Sequence, residues 1–141
     1  VRLNFLSFEA EPARPGPVHA AVDLREIHLA AVTTNTGKGM VVSGRGIRAI
    51  KRYRAKTTGR LQRKIARCTR GSRRYKKLMR AKRGISSQTR RQVKDVRHKA
   101  TRRVTEFCKT HGVSHVYIGH PDGVRNQDRG SKHNDRLAKW E

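Results

Sequence analysis

Residues 45–109 hold 26 of the chain's 35 lysines and arginines and only two acids, Asp95 and Glu106. A segment so charged cannot collapse into a core of its own. Its cations repel one another unless they stay solvated on helix faces or meet a polyanion, and the common polyanion is nucleic acid. Merely solvated faces are the plainer reading, and the density of charge argues against it. Arginine outnumbers lysine, which suits bidentate contacts to phosphate. Only Tyr53 and Tyr75 within the block could stack on bases, so stacking is expected to be secondary to backbone contact. Hydrophobic residues make up 34% of the 141, with a mean hydropathy of -0.86. A modest core is expected, drawn from the two ends of the chain.

Several classes are disfavoured. No apolar run approaches the roughly 20 residues that span a bilayer. Val1-Arg2-Leu3-Asn4 does not open a secretory leader. The basic helices lack the broad Trp/Phe/Leu face that seats a helix on a membrane surface. Cys68 and Cys108 sit far apart on apolar helical stripes. They read as buried free thiols in a reducing, cytoplasmic setting, and no partners at short spacing make a zinc site of either. Histidines 19, 28, 98, 111, 115 and 120 likewise lack zinc spacing, and they read as surface or phosphate-contacting residues.

Residues 1–11 alternate as a strand, and residues 11–17 hold three of the four prolines, a linker. Three strands are expected next, at Val18–Leu24, Ile27–Thr33 and Met40–Ser43, with a turn at Asn35-Thr36-Gly37-Lys38. Their near-continuous apolar content predicts a sheet covered on both faces. From Gly46 the period becomes helical: Ile47, Ile50, Leu61, Ile65 and Cys68 share a face, and Thr58-Gly59 predicts a kink. Gly71-Ser72 marks a turn, with Ser72 capping a short helix through Tyr75, Leu78 and Met79. Gly84-Ile85-Ser86-Ser87 is expected to break that helix. A third follows with the stripe Val93, Val96, Ala100, Val104, Phe107, ending at Gly112. Val113–Ile118 is a fourth strand and Gly119–Gly123 a loop, and Ser131 opens a last helix through Leu137 and Trp140. The class is mixed α/β, in the order βββ-αα-β-α, with a long basic helical hairpin inserted before the fourth strand. That order, with an acid, Asp23, on the first strand of the meander, is the start of a ribonuclease-H-like fold. A lone carboxylate beside basic helices suggests handling of nucleic acid with metal ions; an Asp that merely ends a strand is the bland alternative.

Val22-Asp23-Leu24, then Ile27-His28-Leu29-Ala30, a glycine-containing hairpin, Leu61-Gln62-Arg63-Lys64-Ile65, Gly71-Ser72-Arg73-Arg74 and His98-Lys99-Ala100 follow one another in an order that resembles the OrfB/TnpB transposase-associated proteins of insertion sequences. The likeness covers nearly the whole chain. It implies an RNA-guided DNA endonuclease with a RuvC nuclease domain, whose partners are a guide RNA and target DNA. Residues 1–11 would be the last strand of a preceding barrel domain, 12–17 a linker, and 18–141 an incomplete RuvC-like domain. Such a domain hydrolyses phosphodiesters with paired Mg²⁺ or Mn²⁺ ions held by carboxylates. Asp23 takes the place of the first catalytic and metal-binding carboxylate. Gly119 stands where the second belongs, and glycine cannot bind metal. Glu141 is the first choice to substitute, Asp122 a lesser one; otherwise the copy is catalytically dead. The family's Cys-x-x-Cys pairs and final carboxylate are missing, so this chain supplies no zinc ligands and is not expected to cut DNA alone. The nuclease reading requires Asp23 at the mouth of a groove lined by the arginine-rich hairpin. The residues placed on nucleic acid are Arg52, Arg60, Arg63, Lys64 and Arg67 in the first basic stretch. Arg73, Arg74, Lys77, Arg90, Arg91, Lys94, His98 and Arg102 join them in the second. Two alternatives stay open, a non-catalytic binding remnant or regulator on the same fold and, more distantly, a ribosomal-type basic protein.

Overall fold

The structure, a computed structural model, describes residues 17–25, 27–119 and 130, with the backbone of 5–9. The elements are β1 (Phe5–Glu9), β2 (Val18–Asp23), β3 (His28–Thr34), β4 (Lys38–Ser43), α1 (Arg45–Ala66), α2 (Arg73–Thr110) and β5 (Val113–Ile118). The chain divides into two compact units. One comprises residues 1–46 and 97–141, the other 47–96.

The first unit is built on one mixed sheet in the order β1-β4-β3-β2-β5. β1, β4, β3 and β2 pair antiparallel, and β5 runs parallel to β2. β3 and β4 join through a tight loop. Gly37 sits at φ 81° and donates its N–H to the Thr34 carbonyl at 3.1 Å, in the left-handed position that such hairpins need. The Thr34 hydroxyl, nearly buried, accepts from the Lys38 N–H at 3.1 Å, so the buried oxygen is satisfied.

Ala20, Val22, Ala30, Val32, Met40 and Val42 form the buried face of the sheet. They cluster with Ala100 and Cys108 of α2, and Leu24, Leu29, Val104, Phe107 and Val113 close the margin. The expectation of a sheet covered on both faces is not met among the described residues. Along β2, Ala20 and Val22 are buried while Ala21 and Asp23 are exposed. The second face carries Ala21, Asp23, Ala31 and Thr33 beside Val41, mostly small or polar side chains that demand little cover.

β5 carries a bulge. Val18 pairs with Val113, but His19 pairs with His115, leaving Ser114 as an extra residue. One inserted residue reverses the face of every side chain that follows. Val116 and Ile118 therefore join the α2 side, and His115 and Tyr117 the open side.

The second unit is a basic helical hairpin made of 47–66 from α1 and 73–96 from α2. Ser72 caps α2, accepting the Tyr75 N–H on its Oγ at 3.2 Å, as its position predicts. Lys82 Nζ donates to Gln62 Oε1 at 2.5 Å and ties the two helices together. Two expected interruptions are absent. α1 is unbroken through Thr58-Gly59, where Thr57 and Thr58 hydroxyls donate back to the carbonyls of Tyr53 and Arg54 at 2.9 and 2.7 Å. α2 is one helix of 38 residues, not two. Its buried stripe of Thr89, Val93, Val96 and Ala100 extends backwards through half-buried Ile85, Lys82, Met79 and Tyr75 at steps of three and four. Continuing that stripe outweighs the roughly 1 kcal/mol that a mid-helix glycine costs against alanine. Gly112, at φ 63°, ends α2 as expected.

Candidate nucleic-acid interface

Each cation placed on nucleic acid from sequence is exposed: Arg52, Arg60, Arg63, Lys64, Arg67, Arg73, Arg74, Lys77, Arg90, Arg91, Lys94 and Arg102, together with His98. Helical spacing sorts most of them into rows. On α1, Arg52, Arg60 and Arg63 are joined by Lys56, so that steps of four and three set a cation about every 5–6 Å on the side away from buried Ile47 and Ile65. On α2, Arg73, Lys77, Arg91, His98 and Arg102, joined by Arg80, repeat opposite the buried stripe of Val93, Val96 and Ala100. Lys56 and Arg80 belong to these rows by the same i+3 and i+4 spacing, a signal that the sequence itself carries. Arg102 spends part of its charge on Glu106, its Nε lying 2.8 Å from Oε1. Neither helix has an acid in its first turn, and α2 begins with Arg73 and Arg74. Cations there oppose the helix dipole, an arrangement that an incoming anion relieves.

Asp23 is the last residue of β2 and opposes Ala31 of β3. Its side chain is 54% exposed and pairs with Arg25, Nε to Oδ2, at 2.5 Å. Because Val22 faces the core, Asp23 lies on the face of the sheet that the described residues leave open, away from α2 residues 97–110. A groove holding Asp23 and that part of α2 together is therefore not formed. Gly119 follows β5 and donates its N–H to the Val22 carbonyl at 3.0 Å. The structure thus sets beside Asp23 the position at which the resemblance expected a second carboxylate. Among the described residues, a Cβ built there would meet only that carbonyl, at an ordinary 3.8 Å. Glu141 and Asp122 lie outside the described residues.

The described residues do not by themselves make a paired-metal site. One carboxylate, already matched by Arg25, faces a glycine, and the described residues contain no group of three or more His, Cys, Asp or Glu able to hold a metal. A cleft of about 440 Å³ on the α2 side of the sheet is lined by Leu24, Leu29, Val104, Val116 and Ile118 among others. Its walls are mostly apolar, and no carboxylate is among the described residues that line it.

The histidines divide. His98 and His115 are exposed, while His19 and His28 are half-buried, each with a buried Nδ1 that has no protein partner. His111 packs edge-on against Phe107 at 4.4 Å. Both thiols are free. Cys108 is buried, and its pKa is pushed up by that burial; Cys68 is half-buried and donates to the Lys64 carbonyl. No helix of the described residues is long and apolar enough to cross a membrane.

The OrfB_IS605 family model, described as a probable transposase, matches residues 6–125. No curated protein and no solved structure matches.

Proposed function

The chain belongs to the OrfB_IS605 family of probable transposases, and from that premise we propose that it is the nucleic-acid-binding, RuvC-like portion of an RNA-guided DNA endonuclease. The observation that carries the reading is the pair of exposed cationic rows on α1 and α2, set opposite the buried stripes. Such rows track a sugar–phosphate backbone and leave sequence to base pairing, the division of labour in RNA-guided recognition. The ribonuclease-H-like part of the reading is supported by the order β2-β3-β4-α1-α2-β5 and by β5, which lies parallel beside the Asp23 strand.

In this reading guide RNA and target DNA are the partners. Because Asp23 lies on the face of the sheet away from α2 residues 97–110, the groove that a nuclease role requires is not met there. Binding therefore carries the reading, and Asp23 is kept only as one half of a Mg²⁺ site. Glu141 would supply its other half, and no hydrolytic step is assigned to the residues described. A second reading, a catalytically dead binding protein on the same fold, is favoured specifically by Gly119 and by the Arg25–Asp23 pair.

Competition binding separates nucleic-acid forms. An RNA–DNA heteroduplex is expected to bind more tightly than a B-form duplex of equal length, because A-form shape is what the rows would follow. Equal affinity for both would remove the guide-RNA part of the proposal. In Mn²⁺ the chain is expected to leave DNA uncut; cleavage that disappears in Asp23→Ala would restore a catalytic role.

A further inference from the structure

We infer that the open face of β2 and β5 is a stacking platform for unpaired nucleobases, built from His19, His115 and Tyr117. The rings of His19 and His115 lie 5.2 Å apart, and those of His19 and Tyr117 6.0 Å apart. Tyr117 is 61% exposed, on a strand that pairs on one side only among the described residues.

The grouping depends on a specific departure from regular pairing. Without the bulge at Ser114, alternation would turn His115 and Tyr117 toward α2 and put Val116 and Ile118 on the open face. The bulge is held by Ser114 itself, whose Oγ donates to the Val18 carbonyl at 2.9 Å and sits 3.0 Å from His115 Nδ1. His19 is fixed from the other side. Its N–H donates to Asn35 Oδ1 at 3.0 Å, its carbonyl accepts from the Asn35 N–H at 3.1 Å, and Asn35 Nδ2 is anchored on the Pro17 carbonyl. Bulges re-aim side chains and are enriched both at sheet edges and beside active sites.

Rings on an open sheet offer π faces, and an unpaired base is the part of a nucleic acid that can use them; in a duplex those faces are already stacked. A net charge of +25 makes a polyanion the occupant favoured over a protein strand. The platform also leads toward Asp23, which follows His19 and Ala21 on the same face of β2, so a single strand lying on the rings would approach that carboxylate. The inference rests on the nucleic-acid reading above, but adds a single-strand site separate from the backbone-tracking rows.

The test uses the 141-residue chain with a 12-nucleotide single strand, as DNA and as RNA, and a DNA duplex with the same number of phosphates. Tyr117→Leu is expected to weaken single-strand binding about tenfold, the order that loss of one stacked base implies. Tyr117→Phe should retain wild-type affinity, and duplex binding should be unchanged in both variants. The DNA and RNA strands should suffer alike, since the base and not the sugar is held. His115→Ala is the second variant, its side chain being exposed and so removable without cost to the core. No loss in either variant, equal loss on duplex, or an effect confined to RNA would overturn the inference. It would also be overturned if the chain dimerised through β5 and Tyr117→Leu abolished only that dimer. If neither duplex nor single strand bound at all, the parent reading would fall with it, an outcome distinct from duplex binding that survives while the single-strand effect is missing.

Discussion

Asp23 ends β2 and Gly119 follows the end of neighbouring β5, one with a carboxylate and the other with no side chain at all. That contrast is testable by Gly119→Glu. The space around Gly119 admits a Cβ, so the substitution should fold and should tighten Mn²⁺ binding by about tenfold or more through a second carboxylate. Calorimetry showing no gain would mean that Arg25 already commits Asp23. At Cys108, burial raises the thiol pKa in the folded state. The unfolded thiol therefore ionises first as pH rises. Stability should be fully present below about pH 8.5, the usual thiol value, and decline as pH climbs toward the folded value. Thermal melts of wild type and Cys108→Val should diverge in that alkaline window and not at pH 7. Under native conditions an alkylating reagent should label Cys68 before Cys108. The cap at Ser72, the left-handed Gly112 and the Asn35–Gly37 turn were legible residue by residue, because each rests on local backbone chemistry. The face taken by Asp23 was not legible, since nothing local to Val22-Asp23-Leu24 says on which side of the sheet a distant helix will pack.

The strand β5 was readable to its bounds from its apolar residues, but its bulge was not. The extra residue is defined by pairing with β2, 96 residues earlier. Helix α2 shows the opposite error. Gly84 and the serines after it resemble a break when taken as local propensity, whereas the half-buried and buried residues on either side form a single stripe. Gly84→Ala separates the two views. A Cβ there meets nothing, so if Gly84 lies mid-helix the change should stabilise the protein by about 0.5–1 kcal/mol. Destabilisation would indicate a true interruption. Gly112→Ala should do the reverse, because an L side chain is strained at φ 63°. In the sheet, Val42 is fully buried, and truncation to alanine should cost about 2 kcal/mol in denaturant melts, with no effect on charge-driven binding.

Across the whole molecule, a formal charge of +25 on 141 residues sets cation against cation, a repulsion that salt or a bound polyanion relieves. The family assignment and the mixed α/β class were both legible in the sequence. The ordered strand and helix signals span most of the chain, and charge patterning does not depend on which side chains touch. What the cationic rows do is the claim on which the functional account rests. Its most direct measurement is the dependence of heteroduplex affinity on salt, for wild type and for the triple variant Arg52→Ala, Arg60→Ala, Arg63→Ala. Log affinity should fall steeply and linearly with log salt in the wild type. In the variant the magnitude of the slope should drop by about 3, one counterion for each phosphate that is no longer neutralised. A wild-type affinity indifferent to salt, or a slope unchanged by the three substitutions, would contradict it.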